Sequence, residues 1–228
     1  MIRNTRMAAA LFATLAVAGC QPKPAQQVPT LPETNAAANQ KLTPASNEAL
    51  RRELLRLAQD EEAARTALAQ TATPDPGLIL NRRDQITAYS ARVDAIVSQH
   101  GWPGKTLVGD DGARAAWALA QYATENPAFQ KRCLEAMQKA PKGEVLGLFL
   151  AYLEDRVRVN DGRKQWYGTL LVVVNGHVKA LPIEDEKNVD ARRKEVGLEP
   201  LAHFIAYEQV AYNNRVRAQR RQGGAGPR

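Results

Sequence analysis

The apolar residues of this chain keep a helical spacing from Ser46 to about residue 159, and the spacing then gives way once to a strand-like pattern. That single switch constrains the fold more than any other feature. Leu50, Leu54, Leu57, Ala64 and Leu68 make a first stripe at spacings near 3.6. Ile86, Tyr89, Val93, Ile96 and Val97 make a second, within a helix expected over 81–99. A third helix, expected over 112–124, buries Ala116, Leu119, Ala120 and Trp117. Asn126-Pro127 opens a fourth, carrying Phe129, Cys133, Leu134 and Met137. A fifth, over 144–159, turns Val145, Leu148, Phe149, Tyr152 and Leu153 inward. Residues 165–174 are then aromatic and β-branched, Asn175-Gly176 follows, and 177–183 continue in the same style. Asn-Gly between two such runs is the strongest short hairpin signal, because both residues tolerate the positive φ of a tight turn. A short helix over 188–196 and an amphipathic one over 200–217 close the chain, the latter with Leu201, Phe204, Ile205, Glu208 and Tyr212 along one side. The expected class is mainly α: a compact multi-helix domain with one β-hairpin at about 165–183 packed on it.

The breaks between these patterns are as informative. Thr73-Pro74-Asp75-Pro76-Gly77 separates the first two helices. His100-Gly101-Trp102-Pro103-Gly104 is the densest run of unusual residues, a stiff corner in which Pro103 pushes Trp102 towards an extended backbone. Gly101 reads as a helix stop with Trp102 folded back on the core. The other reading presents His100 and Trp102 at a site. Gly104-Lys105-Thr106 echoes the end of a phosphate-binding loop, but Gln99 stands where the first glycine belongs and a helix, not a strand, precedes it. Gly109-Asp110-Asp111-Gly112 is a turn whose aspartates can cap the next helix.

The two ends differ from this body. Arg3 and Arg6 precede an apolar run, Met7 to Ala18, that is too short to anchor stably across a bilayer. It ends Val17-Ala18-Gly19-Cys20, which resembles the lipobox of bacterial lipoproteins. The resemblance implies cleavage after residue 19 and acylation of Cys20, so that membrane lipid becomes the chain's partner through several acyl chains on one residue. It also implies a cell-envelope location. Gln21, in place of the Asp that resembles an inner-membrane retention signal, favours the outer membrane, facing the periplasm, in a cell with two membranes. Residues 20–44 hold five prolines and no apolar period, and read as a tether. The domain is expected over 45–217 and a disordered basic tail over 218–228. The formal charge of +7 falls to +5 once Arg3 and Arg6 leave with the signal. The arginines of the tail read as a solvated helix end, with no nucleic acid expected.

Chemistry-bearing residues are few. His100, His177 and His203 are the only histidines, and no H-E-x-x-H, paired C-x-x-C or G-x-S-x-G pattern occurs. No metal or cofactor is expected. Cys133 lies on an amphipathic helix among apolar neighbours and reads as core. One constellation stands out. Glu61 and Arg156 fall on otherwise apolar helix faces, and buried charges must pair or neutralise. Arg65 follows Glu61 by four residues, the favourable order for a helical ion pair. His100, Gln165 and Tyr167 are placed to join them if the corner and hairpin pack on the helices. One reading is a polar network that sets helix register. The other is a cleft in which Arg156 binds an anion and His100 moves a proton, with Tyr167 as the third catalytic candidate and Glu61, Arg65, Trp102 and Gln165 as binding candidates.

Several of these runs together resemble an uncharacterised bacterial family, domain-of-unknown-function family 6624. They are Asp60 with Arg65, His100 to Gly104, Gly109 to Trp117, Asp155-Arg156, Tyr167-Gly168-Thr169, and Arg192 to Leu201, spanning about 48–205 in the family's order. Relatives often carry Gln-His where this chain has Gln121-Tyr122, and Gln where it has Leu170. The departures imply that any chemistry relatives perform with those residues is missing here. The resemblance brings no activity, so whether the chain is an enzyme stays open. Three classes remain: a lipid-anchored binding module with an envelope protein or a small anionic ligand as partner, a metal-independent hydrolase or nuclease-like enzyme using His100, and a lipoprotein that neutralises a toxin in the periplasm.

Overall fold

A computed structural model describes residues 44–70 and 76–223. The signal segment, Cys20 and the tether up to residue 43 lie outside the described residues, as do Thr73 to Asp75 of the first break and residues 224–228 of the tail. Among the described residues seven α-helices and one two-stranded antiparallel sheet form the molecule, and no helix is long and apolar enough to cross a membrane.

Helix α1 (Glu48–Gln70) opens where Asn47 Oδ1 accepts the Leu50 amide at 3.0 Å, filling one of the bonds a helix start leaves unmet. Its stripe packs chiefly along α3 (Lys105–Tyr122), with α2 (Pro76–His100) beside it. The HGWPG corner behaves as a helix stop. Gly101 adopts φ 73° and its amide returns to Val97 O at 2.9 Å, while Trp102 is buried in the core. Helix α3 begins earlier than the spacing predicts. A single turn from Lys105 precedes a break at Gly109 (φ 74°, ψ 173°), and the long segment follows. The predicted Gly109 turn is therefore present as a kink inside one helix. Glu144 closes the start of α3: its carboxylate accepts the Thr106 amide at 2.9 Å and the Thr106 hydroxyl at 2.6 Å. The place a phosphate would take in a phosphate-binding loop is thus filled by the protein's own carboxylate.

Helices α4 (Pro127–Lys139) and α5 (Gly147–Asn160) complete the bundle. The main core gathers Leu54, Val93, Ile96, Leu119, Phe129, Met137 and Leu153 around Trp117, which stacks on Phe149 at 4.5 Å and donates its indole N–H to Phe149 O at 2.9 Å. Cys133 is buried there, and burial pushes its thiol well above the usual range.

Strands β1 (Leu171–Val174) and β2 (His177–Ala180) pair antiparallel across Asn175-Gly176, both of whose φ angles are positive. The hairpin is shorter than 165–183. Residues 165–170 form a pinned loop, and Gln165 bridges Ile183 outside the ladder. A short 3-10 turn (Glu186–Asn188) leads into α6 (Val189–Glu195), and α7 (Leu201–Gly223) runs beyond the expected end at 217. Leu171, Val178, Ile183, Val189, Leu201 and Phe204 make a second, smaller core under the hairpin.

Candidate functional site

The loop 165–170 is held from three sides. Asp155 of α5 is fully buried. Its carboxylate accepts the amides of Trp166 (2.5 Å), Tyr167 (2.9 Å) and Thr169 (2.9 Å) and the Thr169 hydroxyl (2.9 Å). Gln165, also buried, folds back on its own loop: Nε2 donates to Leu170 O and Leu181 O, and Oε1 accepts the Leu170 amide. From α6, Arg192 donates to Trp166 O at 3.0 Å and Arg193 to Tyr167 O at 2.7 Å. Leu170 is buried in this arrangement. The Asp155, Tyr167-Gly168-Thr169 and Arg192-Arg193 motifs therefore meet in space as one clasp joining α5, the hairpin and α6.

A separate cleft of about 660 Å³ lies between α1 and α3, lined by Leu55, Ala58, Glu61, Arg65, Arg114 and Tyr122 among others. Glu61 is only 4% exposed. It pairs with Arg65 at 3.5 Å, as the i,i+4 spacing predicts, and more closely with Arg82 of α2 at 2.8 Å. Burial raises the Glu61 carboxyl above its ordinary range, and the two guanidiniums oppose that rise. Arg65 lies over the Tyr122 ring at 4.5 Å, a cation–π contact, and Tyr122 meets Trp117 edge-on at 6.5 Å between ring centres. Arg156 is 1% exposed, and burial lowers its guanidinium to about 10, with the Tyr122 hydroxyl acting the other way. Tyr122, which stands where relatives are expected to carry His, thus connects the cleft to the buried charge on α5. Asp111, on the cleft wall, accepts from Nε and Nη2 along one edge of the Arg51 guanidinium, and that contact holds its carboxyl below the usual range.

The candidate residues therefore separate into three places. Glu61 and Arg65 share the α1–α3 cleft, with Arg156 behind Tyr122. Gln165 and the backbone of Tyr167 belong to the clasp, with the Tyr167 ring half-buried and its hydroxyl raised by burial and by Glu154. His100 is exposed at the corner, at the end of α3 away from Tyr122, and lines a shallow groove with Trp102, Arg132 and Lys139. The structure does not bring His100 to Glu61. Among the described residues no cluster of His, Cys, Asp and Glu is arranged to hold a metal ion.

A family model described as a family of unknown function (DUF6624) matches residues 48–217. The chain belongs to this family. No curated protein and no solved structure matches it. The DUF6624 match starts with the first helix and ends inside the last, so the clasp and the cleft both fall inside it.

Sequence reasoning missed Arg82, Arg114 and Arg193. Arg82 lies four and seven residues before Ile86 and Tyr89, on the inward stripe of α2, and a cation there signals a buried partner. Arg193 likewise follows buried Val189 by one turn. Arg114 is exposed and carries no periodic signal.

Proposed function

We propose that this DUF6624 chain is a lipid-anchored envelope module that binds a small anionic ligand in the α1–α3 cleft. The envelope part rests on the Val17-Ala18-Gly19-Cys20 run, and the ligand on one observation within the cleft. Arg114 borders it with no hydrogen bond and no ion pair among the described residues, its Cζ lying 5.6 Å from the centre of the Phe149 ring. Of the other charges on the wall, Glu61 is engaged by Arg82 and Arg65, and Asp111 by Arg51. Glu62 stands exposed at the edge. An anion at Arg114, with its flat apolar part across Ala115, Ala118 and the Tyr122 side, meets complementary chemistry at each point. A hydrolase reading asks for His100 beside Arg156 or Tyr167, and His100 lies in a groove that neither lines.

The test is thermal melting of the full chain against anionic metabolites, nucleotides and envelope glycans, repeated with Arg65→Ala and Arg114→Ala. An anion should raise the melting temperature of the wild type and leave Arg114→Ala unmoved, with both variants folded. A panel in which no compound acts, or in which both variants respond as the wild type does, overturns the cleft. For the anchor, radiolabelled palmitate should enter the wild type in cells and not Cys20→Ala; label retained in that variant overturns lipidation there.

A further inference from the structure

A second cavity, of about 300 Å³ and more enclosed than the cleft, lies where α5 meets the α6–α7 connection. Leu146, Leu148, Phe149, Tyr152, Leu198 and Phe204 give it apolar walls. Into this setting the fold places a guanidinium. Arg193 is 1% exposed and lines the cavity. Its Nε donates to Glu199 O at 2.6 Å and its Nη1 to Tyr167 O at 2.7 Å, so the group is fixed by two backbone carbonyls and Nη2 is the nitrogen left over. Its Cζ also lies 5.1 Å from the centre of the Phe204 ring. Among the described residues no carboxylate lies within 4.0 Å of Arg193 or of Arg114, the second cation on the lining. Glu199, the one acid on the lining, is exposed at the mouth. Burial lowers the Arg193 guanidinium from its usual range, with the Tyr152 hydroxyl and the more distant Asp190, Glu199 and Asp155 carboxylates opposing the fall.

A buried cation with neutral hydrogen-bond partners is costly unless an anion completes it. Water completes the polar end of such a cavity and gains nothing from six apolar side chains. We propose that this cavity is a binding site for a small monocarboxylate with an aromatic or branched apolar body, the carboxylate taken by Arg193 and Arg114 and the body by Phe149, Tyr152 and Phe204. A planar carboxylate suits guanidinium donors, and a volume of this size admits a body of one ring with a short side chain. The site is independent of the α1–α3 cleft except for Arg114, which borders both.

Titration calorimetry of the full chain with 3-phenylpropionate, and with its neutral amide, tests this. The acid should bind and the amide bind at least tenfold more weakly. Arg193→Gln removes the cation but also two bonds that hold loops, so a second variant, Leu148→Trp, fills the cavity from a half-buried position and leaves those bonds in place. Leu148→Trp should lose at least tenfold in affinity for the acid, and Arg65→Ala should lose none. Equal binding of acid and amide, or full affinity in Leu148→Trp, overturns the site. Affinity lost in Arg65→Ala and kept in Leu148→Trp puts the acid in the α1–α3 cleft, which overturns this site and supports that one. No binding of the acid overturns this site and leaves the cleft to its own test.

Discussion

Asp155→Asn should destabilise the domain far more than a single side-chain change of the same shape ordinarily does. The carboxylate accepts from three backbone amides and one hydroxyl. Asparagine keeps one acceptor oxygen and turns an NH₂ towards the remaining donors, so about two amides of a buried loop lose their partners. Each buried donor left unmet costs about 1–3 kcal/mol. With partial relaxation the total is about 2–4 kcal/mol, a large share of the stability of an ordinary domain. For a domain of this size that corresponds to a fall of about 4–16 °C in melting temperature. Urea unfolding followed by circular dichroism gives the free energy, and amide exchange at Trp166, Tyr167 and Thr169 reports whether the loss is local to the clasp. An Asn variant within about 0.5 kcal/mol of wild type, with those amides still protected, refutes the account: it would mean that the group is held as the neutral acid, or that the loop does not depend on it.

Two further outcomes follow from buried charge and backbone strain. Arg82→Met leaves Glu61 with Arg65 alone, and breaking a buried pair in this way costs about 3–5 kcal/mol. Because burial places the folded-state carboxyl of Glu61 above its unfolded value, the cost of its charge is present above that raised value and disappears as pH falls through it. The Arg82→Met deficit, read by urea unfolding, should therefore shrink from pH 7 towards pH 4.5, and a deficit that grows on acidification refutes the assignment. Gly109→Ala must hold a side chain at φ 74° and ψ 173°, a region essentially reserved for glycine, and should cost about 1–3 kcal/mol. Unchanged thermal stability in that variant would show that the kink is not required.

Element type was legible wherever a stripe of large apolar residues ran for three turns or more. The hairpin was legible from Asn175-Gly176, because few residue pairs accept two positive φ angles in succession. The start of α3 was not, since Gly109 reads as a terminator, and the turn of helix before it is closed from a distance by Glu144 on Thr106. Residues 165–170 read as strand from their composition. Their hydrogen bonds go instead to Asp155, Gln165, Arg192 and Arg193, side chains 5 to 26 positions away in sequence, and no local pattern encodes that choice. The Glu61–Arg65 half of the site followed from helical spacing. Arg82 was missed although its position on the inward face of α2 advertised it, and Arg114 was beyond reach because an exposed arginine has the same sequence signature whether or not a cavity lies beside it.

The entrance to the domain carries a mechanical consequence. The amides of Ser46 and Asn47 donate to the carbonyls of Thr106 and Leu107, at 3.1 and 2.9 Å, just before α1 begins. A pull on the chain from its N-terminal side therefore loads two short backbone bonds to the first turn of α3, and Gly109 separates that turn from the long segment of the helix. Tension is diverted into the corner before it reaches α1, whose side chains form one wall of the cleft. Drag on the domain would be absorbed at this latch, and the wall carrying Glu61 and Arg65 would stay in place until the latch parted.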